Sequence, residues 1–270
     1  MQSICKTESL KTLSRVAVCV LLIFLFACSE EDLPVKEQTV VQISTIDALL
    51  TGVYDGETTL SQLAGWGDFG IGTFNALDGE MVLLDGTFYQ VKGSGEIIRP
   101  VGSTQTPFAT VTFFQPESSY RVAELDYAGL KTVIDNHLVS ANLFFAIRIE
   151  GTFRFMKTRS VPAQEKPYPP LVEVTANQPE FETDSVSGTL SGFYCPPFVT
   201  GINVPGYHLH FISDDEAFGG HVLAFEMTEG VLEIDRINNF ELILPSDNDF
   251  LEADLTGDLT NELEDVEGDR

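Results

Sequence analysis

Short runs of alternating apolar and polar residues, bounded by Gly, Pro, Asp and Asn, fill most of the chain, which is the pattern of strands half-buried in sheets. Residues 66–74 read as a strand dotted with glycine, and 81–84 as a buried strand. Asp85-Gly86 is a hairpin turn leading into 87–91. Residues 108–114, 144–151, 152–155, 188–193, 231–234 and 240–244 read as strands in the same way. The period changes in few places. Residues 45–50 predict a short helix with Asp47 in its first turn, and 58–63 another. Residues 125–135 carry apolar residues at helical spacing, so one face of that helix packs on a sheet. The proline-broken segments 157–162 and 164–170 read as a loop and a rigid connector. Residues 247–270 form an acidic tail whose composition is that of a mobile segment. Within it, however, Phe250, Leu251, Leu255, Leu259 and Leu263 recur at about four-residue intervals, which predicts that the tail docks. Gly79-Glu80-Met81-Val82-Leu83 before Asp85-Gly86 weakly echoes Gly220-His221-Val222-Leu223-Ala224 before Glu229-Gly230. The expected organisation is a leader over 1–27, an acidic linker over 28–39, an N-terminal half over 40–170 and a C-terminal half with its acidic tail over 171–270.

The leader departs from this pattern. Lys6, Lys11 and Arg15 precede an apolar run over 16–27, too short to span a bilayer and flanked like an export signal. It ends in Leu25-Phe26-Ala27-Cys28, which resembles a bacterial lipoprotein cleavage box. Lipidation of Cys28, followed by Ser29-Glu30-Glu31-Asp32, predicts an exported protein anchored to the cell envelope, at the outer-membrane surface. Cys5 and Cys19 leave with such a leader, so Cys195 is the one thiol of the remaining domain and no disulfide framework forms. The chain carries 41 acidic against 15 basic residues, a net charge of −26. Nucleic-acid binding needs basic patches, and this composition excludes it. Contact with a membrane is expected only through the lipid anchor.

Candidate chemistry concentrates in one window. The chain has four histidines, and three of them lie in Gly206-Tyr207-His208-Leu209-His210-Phe211 and Gly219-Gly220-His221. On a strand, residues two apart share a face, so His208 and His210 project together. Ser213-Asp214-Asp215-Glu216 turns the chain, and a hairpin carries His221 back beside them. Three convergent neutral nitrogens suit Zn²⁺ or a similar ion and leave a coordination position open. His137, near a predicted helix end, reads as a local structural residue. Glu80, at the mouth of an apolar strand, is a candidate proton donor or acceptor. Arg159, in the short basic cluster Lys157-Thr158-Arg159, is a candidate for binding a carboxylate through its planar fork of donors.

Taken together, these motifs resemble the α-acetolactate decarboxylase family. The resemblance rests on Gly72-Thr73-Phe74 through Leu77-Asp78-Gly79-Glu80, on Thr158-Arg159-Ser160-Val161-Pro162 with Lys166-Pro167-Tyr168, and on the histidine window. It implies an α+β fold of two related halves built on mixed β-sheets with few helices. It implies a zinc held by His208, His210 and His221, a catalytic Arg at Arg159, and carboxylates at Glu80 and Glu267. Glu267 lies in Val266-Glu267-Gly268, where the family has Thr-Glu-Gly, and Thr73 matches a position lining the pocket. The implied reaction is zinc-dependent loss of CO₂ from 2-acetolactate to give acetoin, with Arg159 and the metal stabilising an enediolate and a Glu protonating it. A homodimer is compatible with the resemblance. Two other readings use the same residues. A cupin-type metal enzyme also places His-x-His on a strand and needs a Glu shortly after it, near Glu216. A non-catalytic envelope lipoprotein would keep the fold for binding.

Overall fold

The computed structural model describes residues 38–267; the leader, Cys28 and Gly268 lie outside the described residues. Two sheets frame the fold. The first is formed by β1 (Thr39–Ile43), β3 (Phe69–Thr73), β4 (Glu80–Leu84), β5 (Thr87–Val91), β6 (Ile97–Ile98), β8 (Ala109–Thr112) and β14 (Asn239–Ile243), in the order β14-β1-β8-β3-β4-β5-β6. Its neighbours are antiparallel except β14, which returns from the end of the chain to pair in parallel with β1. The second sheet holds β9 (Ser118–Asp126), β10 (Phe144–Arg159), β11 (Glu180–Cys195), β12 (Gly206–Ser213) and β13 (Gly219–Ile237), all antiparallel. β10 pairs with β11 on one side and with β13 on the other, so the pairing closes on itself. A two-stranded pair, β2 (Thr58–Thr59) with β7 (Gln105–Thr106), completes the strands. The fold is α+β with mixed sheets and few helices.

The apolar alternation explains the layers. Val40, Phe69 and Ile71 of the first sheet pack with Phe144, Ala146, Phe193 and Ile237 of the second, forming the seam between them. Inside the closed ring, Phe153 meets Phe211 and Phe225 edge to face at 5.3 and 5.7 Å, the arrangement ring quadrupoles favour. Helix α3 (Tyr127–Asp135) covers this cluster with Leu130 and Ile134. Helices α1 (Ile46–Leu50), α4 (Leu171–Thr175) and α6 (Thr260–Glu267) share a third cluster through Ile46, Leu49, Leu171, Leu263 and Val266. Side-chain caps begin several helices. Thr45 accepts from the Ala48 N–H ahead of α1, and Thr59 forms a capping box with Gln62 at α2 (Leu60–Leu63).

The structure redraws several expected boundaries. The strands expected at 144–151 and 152–155 are one strand, with register irregularities near residues 152–155 that bend it. β11 begins at Glu180, earlier than expected, because its acidic and polar first half pairs with β10 on a solvated face. Helix α3 starts at Tyr127, since Asp126 ends β9 and caps the helix by accepting from the Gly129 N–H at 2.7 Å. Lys157, Thr158 and Arg159 are not loop residues. Thr158 and Arg159 pair with Phe181 and Glu180 on β11 and with Val222 and His221 on β13, and the loop begins only at Ser160, ahead of Pro162. The sheets exchange strands across residue 170: β9 and β10 join the second sheet and β14 the first. The acidic tail contains α5 (Asn248–Glu252) and α6. Of its spaced apolar residues, Leu263 is buried and Leu259 packs against the third cluster, whereas Leu251 faces solvent.

Gly220, paired with Phe211 and next to His221, the partner of Arg159, is required by its conformation. Its φ is +129°, and a Cβ there would lie 2.4 Å from the Arg159 carbonyl oxygen. Gly220→Ala is therefore expected to cost about 2 kcal/mol or more of unfolding free energy, from backbone strain plus steric conflict. Urea denaturation checks this, with a lowered midpoint at an unchanged slope as the expected result. An unaltered midpoint would show that β13 can shift away from β10 without penalty.

Candidate metal centre and acid–base site

Strand register assembles the site. Arg159 on β10 lies opposite His221 on β13, and His221 lies opposite His210 on β12. Cross-strand partners share a face, so these three side chains form a row across three strands. His208, two residues before His210, joins the row from the same face. That face meets the first sheet at β4, where His210 Nδ1 lies 2.8 Å from the Met81 carbonyl oxygen. The carbonyl can only accept, so Nδ1 carries the proton and Nε2 keeps its lone pair.

All three rings are buried, and their ligating nitrogens lie within 4.8 Å of one another. His208 Nε2 is 3.2 Å from His210 Nε2 and 3.2 Å from His221 Nδ1. Burial presses the His208 and His210 imidazoles down to about 3, with the Arg159 charge adding to the effect at His208 and His208 itself adding to it at His210. Desolvation, then Arg159 and the neighbouring imidazoles, holds His221 well below its ordinary value. All three are neutral near pH 7, which is the form that ligates a metal.

Two carboxylates flank the triad. Glu80 opens β4 behind a turn in which Ala76 (φ 60°) and Leu77 (φ 55°) occupy the left-handed region, as does Gly79 (φ 89°). A Cβ at Gly79 would lie 2.2 Å from the Val91 carbonyl oxygen, so only glycine fits. Thr73 donates its hydroxyl to the Gly79 carbonyl at 2.8 Å, and Lys92 pairs with Asp78. These contacts fix the turn that aims Glu80, whose Oε2 is 3.5 Å from His210 Nε2. Burial pushes the Glu80 carboxyl up to about 8, while Arg159 pulls it down and Glu267 pushes it up. A divalent cation among the imidazoles would pull it down further. Glu267, the last residue of α6, reaches the opposite side. Its Oε2 is 3.5 Å from His208 Nε2 and 3.6 Å from His221 Nδ1, and its Oε1 is 3.3 Å from Arg159 Nη2.

The residues fit a metal. Glu267 Oε2 is buried without a hydrogen-bond partner, and ring nitrogens of three neutral imidazoles converge beside it. Unfilled, such a cluster carries a desolvation penalty with no compensating contact; a cation relieves it at each atom. His208, His210 and His221 are the residues that could hold it, and their donor chemistry suits zinc without distinguishing it from other borderline divalent ions.

One pocket joins these groups. Thr73, Glu80, Arg159, His208 and Glu267 line it, and Leu77, Phe108, Val161 and Val266 supply apolar wall. Glu216, the residue a cupin arrangement needs, faces away: Arg99 Nε donates to its Oε2 at 3.2 Å and Tyr89 to its Oε1 at 3.3 Å. His137 sits apart from the triad, with Nδ1 2.7 Å from the Val133 carbonyl oxygen and its ring against Tyr120. Cys195 is a packed core residue whose thiol burial pushes up to about 12. Sequence reasoning missed Gln178, which lines the cavity and accepts from Arg159 Nη1 at 3.4 Å. Nothing local marks it, because its place depends on the pairing of β10 with β11.

Comparison with known proteins identifies the family and the fold. The family model for alpha-acetolactate decarboxylase matches residues 40–257. The chain is 48% identical to the alpha-acetolactate decarboxylase of Methanosarcina mazei over 227 residues, which cover 84% of this chain and 79% of that protein. It is 42% identical to the alpha-acetolactate decarboxylase of Bacillus subtilis over 241 residues, covering 88% and 94%. The crystal structure of the alpha-acetolactate decarboxylase from Bacillus subtilis strain 168 superposes with a TM-score of 0.84, covering 85% of this chain and 99% of that one. On sequence and fold alike, the chain belongs to the alpha-acetolactate decarboxylase family.

Proposed function

We propose that the chain decarboxylates 2-acetolactate to acetoin and CO₂, using a divalent metal, zinc by donor chemistry, held by His208, His210 and His221. The observation that carries this reading is the convergence of three buried neutral imidazoles beside a pocket lined by one of them, His208, together with one guanidinium and two carboxyls, in a chain of this family. A metal bound there supplies a Lewis acid for substrate oxygens.

The chain's own residues do the rest. Arg159, 4% exposed, attracts and orients the anionic substrate, and its donors face charge that builds on oxygen as the C–C bond breaks. The electron pair of that bond stays on the substrate, CO₂ departs, and an enediolate remains. A proton must then reach carbon from one side. Glu267 is tied to Arg159 by an ion pair, whereas Glu80 is not. Glu80 is therefore the carboxyl free to give up a proton, later recovered from solvent, and Glu267 holds the guanidinium and the cation site together. The apolar wall excludes water, so the proton delivered is the one the protein places.

Three outcomes follow for the purified protein. Chelation should abolish acetoin formation and zinc should restore it, at about one ion per chain; the His208→Ala/His210→Ala double variant should lose both metal and turnover, because one remaining imidazole cannot retain the ion. Full occupancy in that variant would remove the ligand assignment. Arg159→Lys should keep metal and fold while losing about 10²–10³-fold in kcat/KM, since an ammonium lacks the planar fork. Turnover within a few-fold of the unaltered enzyme would make Arg159 a structural residue. Glu80→Gln should cut kcat by at least about 10²-fold with metal retained, the scale of a lost acid–base group, and Glu267→Gln by less. The reverse order would transfer the proton-donor role to Glu267.

A further inference from the structure

Arg159 is almost fully buried, and three different neighbourhoods meet its guanidinium. Nη2 faces Glu267 Oε1 at 3.3 Å, Nη1 donates to Gln178 Oε1 at 3.4 Å, and Nε is buried without a partner. A guanidinium only donates, so Gln178 must present its carbonyl oxygen there, and its amide orientation is fixed by chemistry.

The backbone that carries Gln178 is fastened to the strand end that carries Arg159. The Ser160 N–H donates to the Pro179 carbonyl at 3.2 Å, Arg159 pairs with Glu180, and the Gln178 N–H donates back to the Thr175 carbonyl at the end of α4 at 3.4 Å. Acceptor and donor are therefore held on backbone segments fastened to each other where β10 ends and β11 begins. Glu267, the other partner, arrives on a separate helix docked through Leu263 and Val266.

We propose that Gln178 is a positioning residue: its side-chain carbonyl fixes the plane of the Arg159 guanidinium, so that the donor left over meets the anionic substrate in the cavity. Without it, Arg159 is held at its tip only by Glu267, and rotation toward a two-point ion pair with that carboxylate would withdraw donors from substrate. A neutral amide suits the task. It orients the guanidinium without cancelling the charge that attracts the substrate, whereas a carboxylate there would surround one cation with three anions. In its kinetic form the inference rests on the decarboxylase reading.

The test is a double-mutant cycle on the zinc-loaded enzyme. Gln178→Ala and Gln178→Met are each made alone and together with Arg159→Lys. Met keeps most of the side-chain volume but offers no comparable acceptor, so a loss common to both is not a packing effect. The expected result is a fall of about 10-fold in kcat/KM from either Gln178 change when Arg159 is intact, and of less than about 2-fold in the Arg159→Lys background, with melting temperature and zinc content unchanged. Equal losses in both backgrounds, or none in the first, overturn the proposal. Calorimetric binding of the unreactive acid 2-hydroxy-2-methylbutanoate gives a second reading, expected to weaken about 10-fold in the Gln178 variants and to show the same dependence on Arg159. Weakened binding with no acetoin from any form would retire the decarboxylase reading and leave the positioning role standing. Normal turnover with no coupling to Arg159 would retire the positioning role alone.

Discussion

One hydrogen bond, from His210 Nδ1 to the Met81 carbonyl, ties the chemistry of this protein to its architecture. It crosses from the second sheet to the first, so the contact that fixes the tautomer of His210 also joins the two sheets at the site. Three buried neutral rings are costly to dehydrate, and the seam tolerates them only where their nitrogens have a common task. The register of β10, β13 and β12 then leaves little freedom, since Arg159, His221 and His210 fall in one cross-strand row. A slip of one residue on β12 would turn both His208 and His210 to the opposite face and dismantle the centre.

Glu267 poses an electrostatic difficulty that the structure resolves by packing. It ends α6, where the helix dipole is negative and a carboxylate is disfavoured, and the eight-residue helix has no basic residue in its last turn. A helix this short is not stable alone in water. The burial of Leu263 and Val266 against Ile46, Leu49 and Leu171 supplies the docking, at roughly 1.5–3 kcal/mol per fully buried large side chain. Arg159, and a cation when present, supply the opposite charge. In a chain of net charge −26, the buried Arg159 together with a cation held by the imidazoles would supply the positive charge that an anionic substrate needs.

Much of the site is legible in the sequence because its signals are local. His-x-His on a strand, the Asp-Asp turn and Gly219-Gly220 are properties of a dozen consecutive residues, and period-2 alternation alone places two rings together. Glu80 is visible as a charge at the mouth of an apolar run. Arg159 is visible only as a cation in an acidic chain; the loop expected around it is strand instead, because pairing continues through Arg159 and stops only as the chain nears Pro162. Composition makes Glu267 part of a solvated tail, and the four-residue spacing of leucines together with family resemblance outweighs it. Gln178 and the parallel return of β14 to β1 carry no local mark, since both follow from pairings between segments far apart in the chain.

That division has a physical basis in where rigidity is needed. The metal ligands and Arg159 sit on paired strands, whose geometry holds donors to within small displacements without further support. The carboxyls instead reach the cavity from the ends of elements: Glu80 from a turn with two non-glycine residues in the left-handed region, Glu267 from the tip of a docked helix. Strain of about 1–3 kcal/mol at each left-handed residue persists only where surrounding contacts over-determine it. Here Thr73, Gln90 and Lys92 all bind the turn from the neighbouring strands or their ends, at the Gly79 carbonyl, the Asp78 carbonyl and the Asp78 carboxylate. The first sheet, which meets the histidine-bearing one at Met81, thus also holds Glu80 in a conformation the free chain would rarely adopt, and a proton donor aimed this way can serve one face of a planar intermediate.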